Sequence, residues 1–78
     1  MANVIVYSTQ SCPYCHMAKE FFDKNKVKYT DYDVGADAKR ANEMIEKSGQ
    51  MGVPVIDIDG KVIVGFDLPA IKQALKLK

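Results

Sequence analysis

Two cysteines stand two residues apart, Cys12-Pro13-Tyr14-Cys15, where an apolar run (Val4-Ile5-Val6-Tyr7) gives way to helical periodicity. A strand that feeds a helix through a dithiol leaves few folds open. Pro13 suits the first helical position, because its missing N–H would be unpaired there anyway. If the pair opens the helix, Cys12 lies where free backbone N–H groups and the helix dipole favour an anion. That makes Cys12 the expected reactive thiol. These are the only cysteines among 78 residues. A bond between them would close a four-residue loop, which constrains the unfolded chain very little. A reversible dithiol/disulfide couple is therefore the stronger reading, and a structural staple the weaker one.

The chain is read as a single domain, residues 1–78, with a small core. Net charge is +1, and Lys and Arg are interspersed with Asp and Glu, so there is no basic stripe for nucleic acid. The longest apolar run is four residues, far short of a membrane span. The first residues lack the charged and apolar regions of a signal peptide. A cytoplasmic, reducing location is expected, and there a C-x-x-C pair is more often catalytic or metal-binding than structural.

Residues 3–8 read as a buried strand. Residues 13–25 read as a helix with Tyr14, Cys15, Ala18, Phe21 and Phe22 on its inward stripe. Residues 27–33 alternate as a second strand. Residues 36–48 form a second helix, inward through Ala41, Met44, Ile45 and Ser48, with Gly49 as its cap. Val55–Ile58 and Val62–Val64 flank Asp59-Gly60, a strong hairpin signal. Asp67 caps a last helix, 68–77, inward through Leu68, Ile71, Ala74 and Leu75, with Lys72, Lys76 and Lys78 near its C-terminus. The order βαβαββα predicts an α/β fold. The first two strands run parallel by a right-handed crossover, and the hairpin completes a mixed four-stranded sheet with helices on both faces.

At this point the chain resembles the glutaredoxin family of the thioredoxin superfamily, in its small prokaryotic dithiol form. Cys12-Pro13-Tyr14-Cys15 is similar to the family's dithiol motif. Val53-Pro54 resembles its active-site cis-proline. Gly65-Phe66-Asp67 falls where the family keeps its glutathione-binding turn. The resemblance implies a thioredoxin-like fold and an oxidoreductase that reduces protein disulfides and glutathione mixed disulfides, with glutathione as co-substrate. Cys12, the exposed thiol by its place in the motif, attacks. Cys15, one turn inside the helix and partly buried, or an external thiol, resolves the mixed disulfide. Thr9, Pro13, Tyr14, Val53, Pro54, Gly65, Phe66 and Asp67 line the site. A cis bond at Pro54 would present the Val53 backbone to an extended substrate. Tyr14 reads equally as a substrate contact and as the first packed rung of its helix.

Departures at three places, the turn after Val64, Thr9 and Gly52, bear on the electron donor. Phe66 replaces the second glycine of the family's Gly-Gly pair, and Leu68 falls where a carboxylate would hold the glutathione ammonium. Thr9 stands in place of a basic residue, and Gly52 in place of the usual threonine. The Gly-Phe pair resembles glutaredoxin-like electron donors of ribonucleotide reductase, which are reduced by thioredoxin reductase. That donor is the first alternative. A module that carries an iron–sulfur cluster or acts as a redox switch is the second. No metal or haem is expected. Cys12 to His16 fits the C-x-x-C-H haem pattern, but no export signal accompanies it. One C-x-x-C and one His also fall short of a four-ligand zinc site. Met44 and Met51 read as packing residues, and a monomer is expected.

Overall fold

A computed structural model describes residues 3–76. Its elements are β1 (Val4–Ser8), α1 (Pro13–Lys24), β2 (Thr30–Asp33), α2 (Ala38–Ser48), β3 (Val55–Ile58), β4 (Lys61–Val64) and α3 (Leu68–Leu75). The sheet order is β2-β1-β3-β4. β1 pairs parallel with β2 and antiparallel with β3, and β3 and β4 form the hairpin. The mixed four-stranded thioredoxin-like sheet expected from the sequence is the one observed.

Strand alternation assigns the two layers. Val4 and Val6 of β1, Ile56 and Ile58 of β3 and Ile63 of β4 pack with Ala18 and Phe22 of α1 and Ile71 of α3. Ile5 and Tyr7, Val55 and Val62 turn the other way, onto Met44 and Ile45 of α2. Asp59 and Gly60 both take positive φ, 52° and 91°, as a two-residue hairpin turn requires.

Several boundaries and faces differ from the sequence expectation. The second strand begins at Thr30, not at residue 27, because the ladder with β1 starts at Ile5 and Thr30. Residues 25–27 instead close α1. Lys26 adopts φ 57°, its N–H donates to the Asp23 carbonyl at 3.1 Å, and the Val27 N–H donates to Phe22 at 2.8 Å. This paired closure is a Schellman motif. α2 starts at Ala38 because Asp37 is its cap, accepting from the Arg40 N–H. α3 ends at Leu75, where Lys76 turns left-handed; residues 77 and 78 lie outside the described residues. Tyr14 is not a packed rung. It is 61% exposed, since the stripe facing the sheet runs through Cys15, Ala18 and Phe22. Met44 is buried as expected, whereas Met51 is 78% exposed on the loop before β3.

The α2 face carries a polar lattice inside its apolar rim. The buried Tyr7 hydroxyl donates to Glu43 Oε2 at 2.7 Å. Lys47 Nζ donates to the Tyr7 oxygen at 2.8 Å and to Asp57 Oδ2 at 2.9 Å. Arg40 bonds Glu43 at 3.1 Å and lies 4.0 Å over the Tyr32 ring. Among the described residues every buried polar side-chain atom has a partner, which removes the cost of leaving it unpaired. Burial pushes the Tyr7 pKa above its ordinary value and keeps the hydroxyl protonated, its hydroxyl and Asp57 hold Lys47 charged, and the same hydroxyl holds Glu43 below its ordinary value of 4.5. A carboxylate depressed in the fold contributes stability above its unfolded value and loses it as pH falls through the folded one. Tyr7→Phe is therefore expected to cost about 1–2 kcal/mol at pH 7. It should also flatten the fall in the urea midpoint as pH drops below about 4.5. Urea titrations of both proteins from pH 3 to 7 check this, and parallel curves would contradict it.

Candidate active site

One end of the sheet collects the residues singled out in the sequence. The β1–β3 register ends at Tyr7 and Val55, so β1 runs out through Ser8 to Thr9 where Val53 and Pro54 lead into β3. The β3–β4 register ends at Val55 and Val64, and just beyond it the Gly65 N–H donates to the Pro54 carbonyl at 2.8 Å. The parallel strand β2 finishes at the same end, with Asp33 opposite Ser8. All three helices start there too, because each follows a strand that ends there. Their N-termini give that end of the molecule a positive field.

The three N-caps are Cys12, Asp37 and Asp67. The Cys15 N–H donates to Cys12 Sγ at 3.1 Å. Its counterparts are Arg40 N–H to Asp37 Oδ1 at 3.2 Å and Ala70 N–H to Asp67 Oδ1 at 3.3 Å. Cys12 sulfur therefore occupies the place that carboxylates take on the other two helices. The loop is tied down as well: Cys12 N–H donates to the Thr9 carbonyl at 3.4 Å. His16 is exposed, and its Nε2 donates to the Gln10 carbonyl at 2.9 Å, so it buttresses the loop.

The two thiols are unequal, but Cys12 is less open than its place in the motif suggested. It is 9% exposed, against 0% for Cys15. The capping geometry folds the Cys12 sulfur back over the first turn instead of projecting it into solvent. Cys15 is fully buried, not partly. That burial, followed by its hydrogen bond with Cys12, pushes its ionisation up to about 12, against smaller opposing pulls from the Thr9 backbone and the Lys19 charge.

The remaining candidates separate into those that meet at the sheet end and those that turn away. Val53 is half-buried and its bond to the buried Pro54 is cis. Gly65 has φ +80° with open space where a Cβ would stand, so its backbone angle is the constraint there. Asp67 caps α3. Pro13 and Tyr14 are exposed on the first turn of α1. Phe66 turns toward α1: its ring centroid is 6.5 Å from that of Phe21. It lines a shallow groove with Met17, Glu20, Phe21 and Lys24. Thr9 lines a separate groove with Gln10, Ser11, Asp33, Gly35 and Ala36. The sequence motif did not mark Lys19, Asp31 and Ser8, which bond to one another beside the loop. The available signal was the i, i+4 spacing of Cys15 and Lys19. Among the described residues no group of three or more His, Cys, Asp or Glu side chains is placed to hold a metal ion.

The glutaredoxin family model matches residues 4–63. The chain belongs to the glutaredoxin family. It is similar to an uncharacterized glutaredoxin-like 8.6 kDa protein in the rubredoxin operon of Clostridium pasteurianum, 41% identical over 71 residues, 91% of this chain and 95% of that one. It is also similar to Glutaredoxin 3 of Escherichia coli (strain K12), 40% identical over 67 residues, 86% of this chain and 81% of that one. Among solved structures, the thioredoxin-like protein BC3987 superimposes with a TM-score of 0.87 at 33% identity, covering 92% of this chain and 99% of that one. A buckwheat glutaredoxin–glutathione complex gives 0.76 at 26% identity, covering 96% of this chain and 71% of that one. This glutaredoxin is a thiol–disulfide oxidoreductase.

Limited iodoacetamide at neutral pH should label Cys12 alone in the reduced protein, and both cysteines after denaturation. Peptide mapping checks this. Early labelling of Cys15 would contradict the burial described here.

Proposed function

We propose that this glutaredoxin reduces protein disulfides and glutathione mixed disulfides through the Cys12–Cys15 couple, with glutathione as its electron donor. The carrying observation is the bond from the Cys15 N–H to Cys12 Sγ at the mouth of α1. A helix N-terminus favours an anionic sulfur, and burial keeps the proton on Cys15. Cys12 is therefore the attacking thiol: as its thiolate it displaces one half of the substrate disulfide, which leaves as a thiol. Cys15 then attacks Cys12 Sγ, forming the intramolecular disulfide and releasing the second thiol. Two glutathione molecules restore the dithiol and leave as glutathione disulfide. Stabilising the anion helps most in the return step, when Cys12 is the leaving group, because a stabilised thiolate departs faster while its nucleophilicity falls.

Thr9, Pro13, Tyr14, Val53, Pro54, Gly65, Phe66 and Asp67 line the substrate site in this proposal. Val53 supplies backbone groups for an extended peptide, and the first turn of α3 behind Asp67 supplies N–H groups for a carboxylate. The buckwheat complex with glutathione supports the co-substrate at the level of a relative. A disulfide-containing protein is the expected partner, and a cytoplasmic location suits a dithiol that must be kept reduced. No helix of the described residues is long and apolar enough to cross a membrane.

A flavoprotein such as thioredoxin reductase is the second candidate donor, with ribonucleotide reductase among the candidate acceptors. It is favoured by Phe66 and Leu68. Both are half-buried, and neither offers the glutathione ammonium a carboxylate. Thr9 adds no positive charge for a glutathione carboxylate. Each charge-assisted bond lost this way is worth roughly 1.5–3 kcal/mol.

Mass spectrometry of Cys15→Ser incubated with oxidised glutathione should find one glutathione on Cys12. The wild type should turn over with millimolar glutathione and glutathione reductase. Absence of the adduct together with rapid reduction by thioredoxin reductase would overturn the glutathione assignment and establish the second donor.

A further inference from the structure

Behind the dithiol lies a charged cluster that the exchange chemistry described above does not use. Lys19 follows Cys15 by four residues, so the two share a face of α1. Its Nζ donates to Asp31 Oδ2 of β2 at 2.9 Å and approaches Ser8 Oγ of β1 at 3.4 Å. The Ser8 hydroxyl in turn donates to Asp31 Oδ1 at 2.6 Å. Ser8 is 2% exposed and the Lys19 side chain 20%. A lysine on an open helix surface would sample many rotamers and contribute little. Here strands on one side and the helix on the other fix the ammonium between them.

We propose that Lys19 is a positioning residue for the resolving thiol: Asp31 and Ser8 hold its ammonium so that it stabilises the thiolate that Cys15 must form before this sulfur attacks. The proposal rests on Cys15 being the resolving thiol. In that step the Cys15 S–H proton passes to solvent and the Cys15 thiolate attacks Cys12 Sγ. The Cys12–Cys15 bond forms as the bond from Cys12 to the substrate sulfur breaks, and the departing thiolate takes up a proton. No further oxidant or reductant is needed. A fully buried sulfur is the one that most requires a compensating charge at that moment. Cys15 is faced by Cys12, the Thr9 backbone N–H and the Lys19 charge. Lys19 is faced by Asp31, Tyr29 and Cys15. Burial works against its charge, and the bond to Asp31, with the negative charge behind it, outweighs burial and keeps the ammonium protonated.

The two exchange steps can be watched separately with 5,5′-dithiobis(2-nitrobenzoate). Attack by Cys12 releases one coloured thiolate, and closure by Cys15 releases the second. Lys19→Met should leave the first phase within about two-fold. If the lost charge makes the Cys15 thiolate about ten-fold scarcer, a Brønsted slope near 0.45 gives an about 3–4-fold slower second phase. Its pH profile should move upward, and Lys19→Arg, which keeps the charge, should restore both rate and profile. A merely structural role would lower the urea midpoint and leave that profile where it is. Unchanged second-phase kinetics in Lys19→Met, or equal slowing in Lys19→Arg, would overturn the proposal. Absence of a second phase in the wild type would overturn the resolving role of Cys15 itself, and this proposal with it.

Discussion

A single hydrogen bond, from the Cys15 N–H to the sulfur of Cys12, joins the fold to the chemistry. It satisfies one of the free donors at the start of α1. It also places the Cys12 sulfur at the helix mouth, where the aligned peptide dipoles end. The same short segment buries the second sulfur, because a residue three positions into the helix faces the sheet. One turn of helix thus makes two chemically identical side chains unequal.

That turn is only as well placed as the sheet end that carries it. Three strands end and one begins there, and each helix starts from that same edge. The arrangement follows from the connection order. A parallel crossover returns each strand to the same starting edge, and the hairpin brings β4 back to the end from which β3 set out. Two packed layers hold the edge in place. One is apolar apart from the Lys19–Asp31–Ser8 cluster beside α1. The other combines aliphatic contacts with the Tyr7–Glu43–Lys47–Asp57 lattice, whose members come from β1, α2 and β3. Such a lattice ties α2 to the middle of the sheet by direction as well as by area.

The element order, the hairpin and the capping residues were legible in the sequence because each rests on local chemistry. Gly49, Gly60, Asp59 and Asp67 adopt the backbone roles their side chains favour. What escaped depends on contacts distant in the chain. The Tyr14 and Cys15 faces of α1 differ by one step around the helix, and only packing against β1 and β3 decides which turns inward. The Schellman closure at Lys26 shortened the second strand, although lysine carries no signal for a left-handed residue. Asp57 within an otherwise apolar strand was the one visible hint of the polar lattice, since a buried carboxylate requires a partner. The covered state of Cys12 was not readable from its motif, because the capping bond swings its sulfur inward.

Membership of the glutaredoxin family fixes the reaction class, and the chain's own residues set its particulars. Phe66 on Phe21 and Leu68 at the start of α3 make the turn after β4 more apolar than a carboxylate-bearing one would be. The inequality of the two sulfurs does not depend on which donor serves them. It is measured most directly by following both cysteine Cβ signals with pH in the reduced, 13C-cysteine-labelled protein by NMR. The Cys15 signal should hold its position until strongly alkaline solution, near its raised value of about 12. Movement of the Cys15 signal near neutral pH would contradict the account.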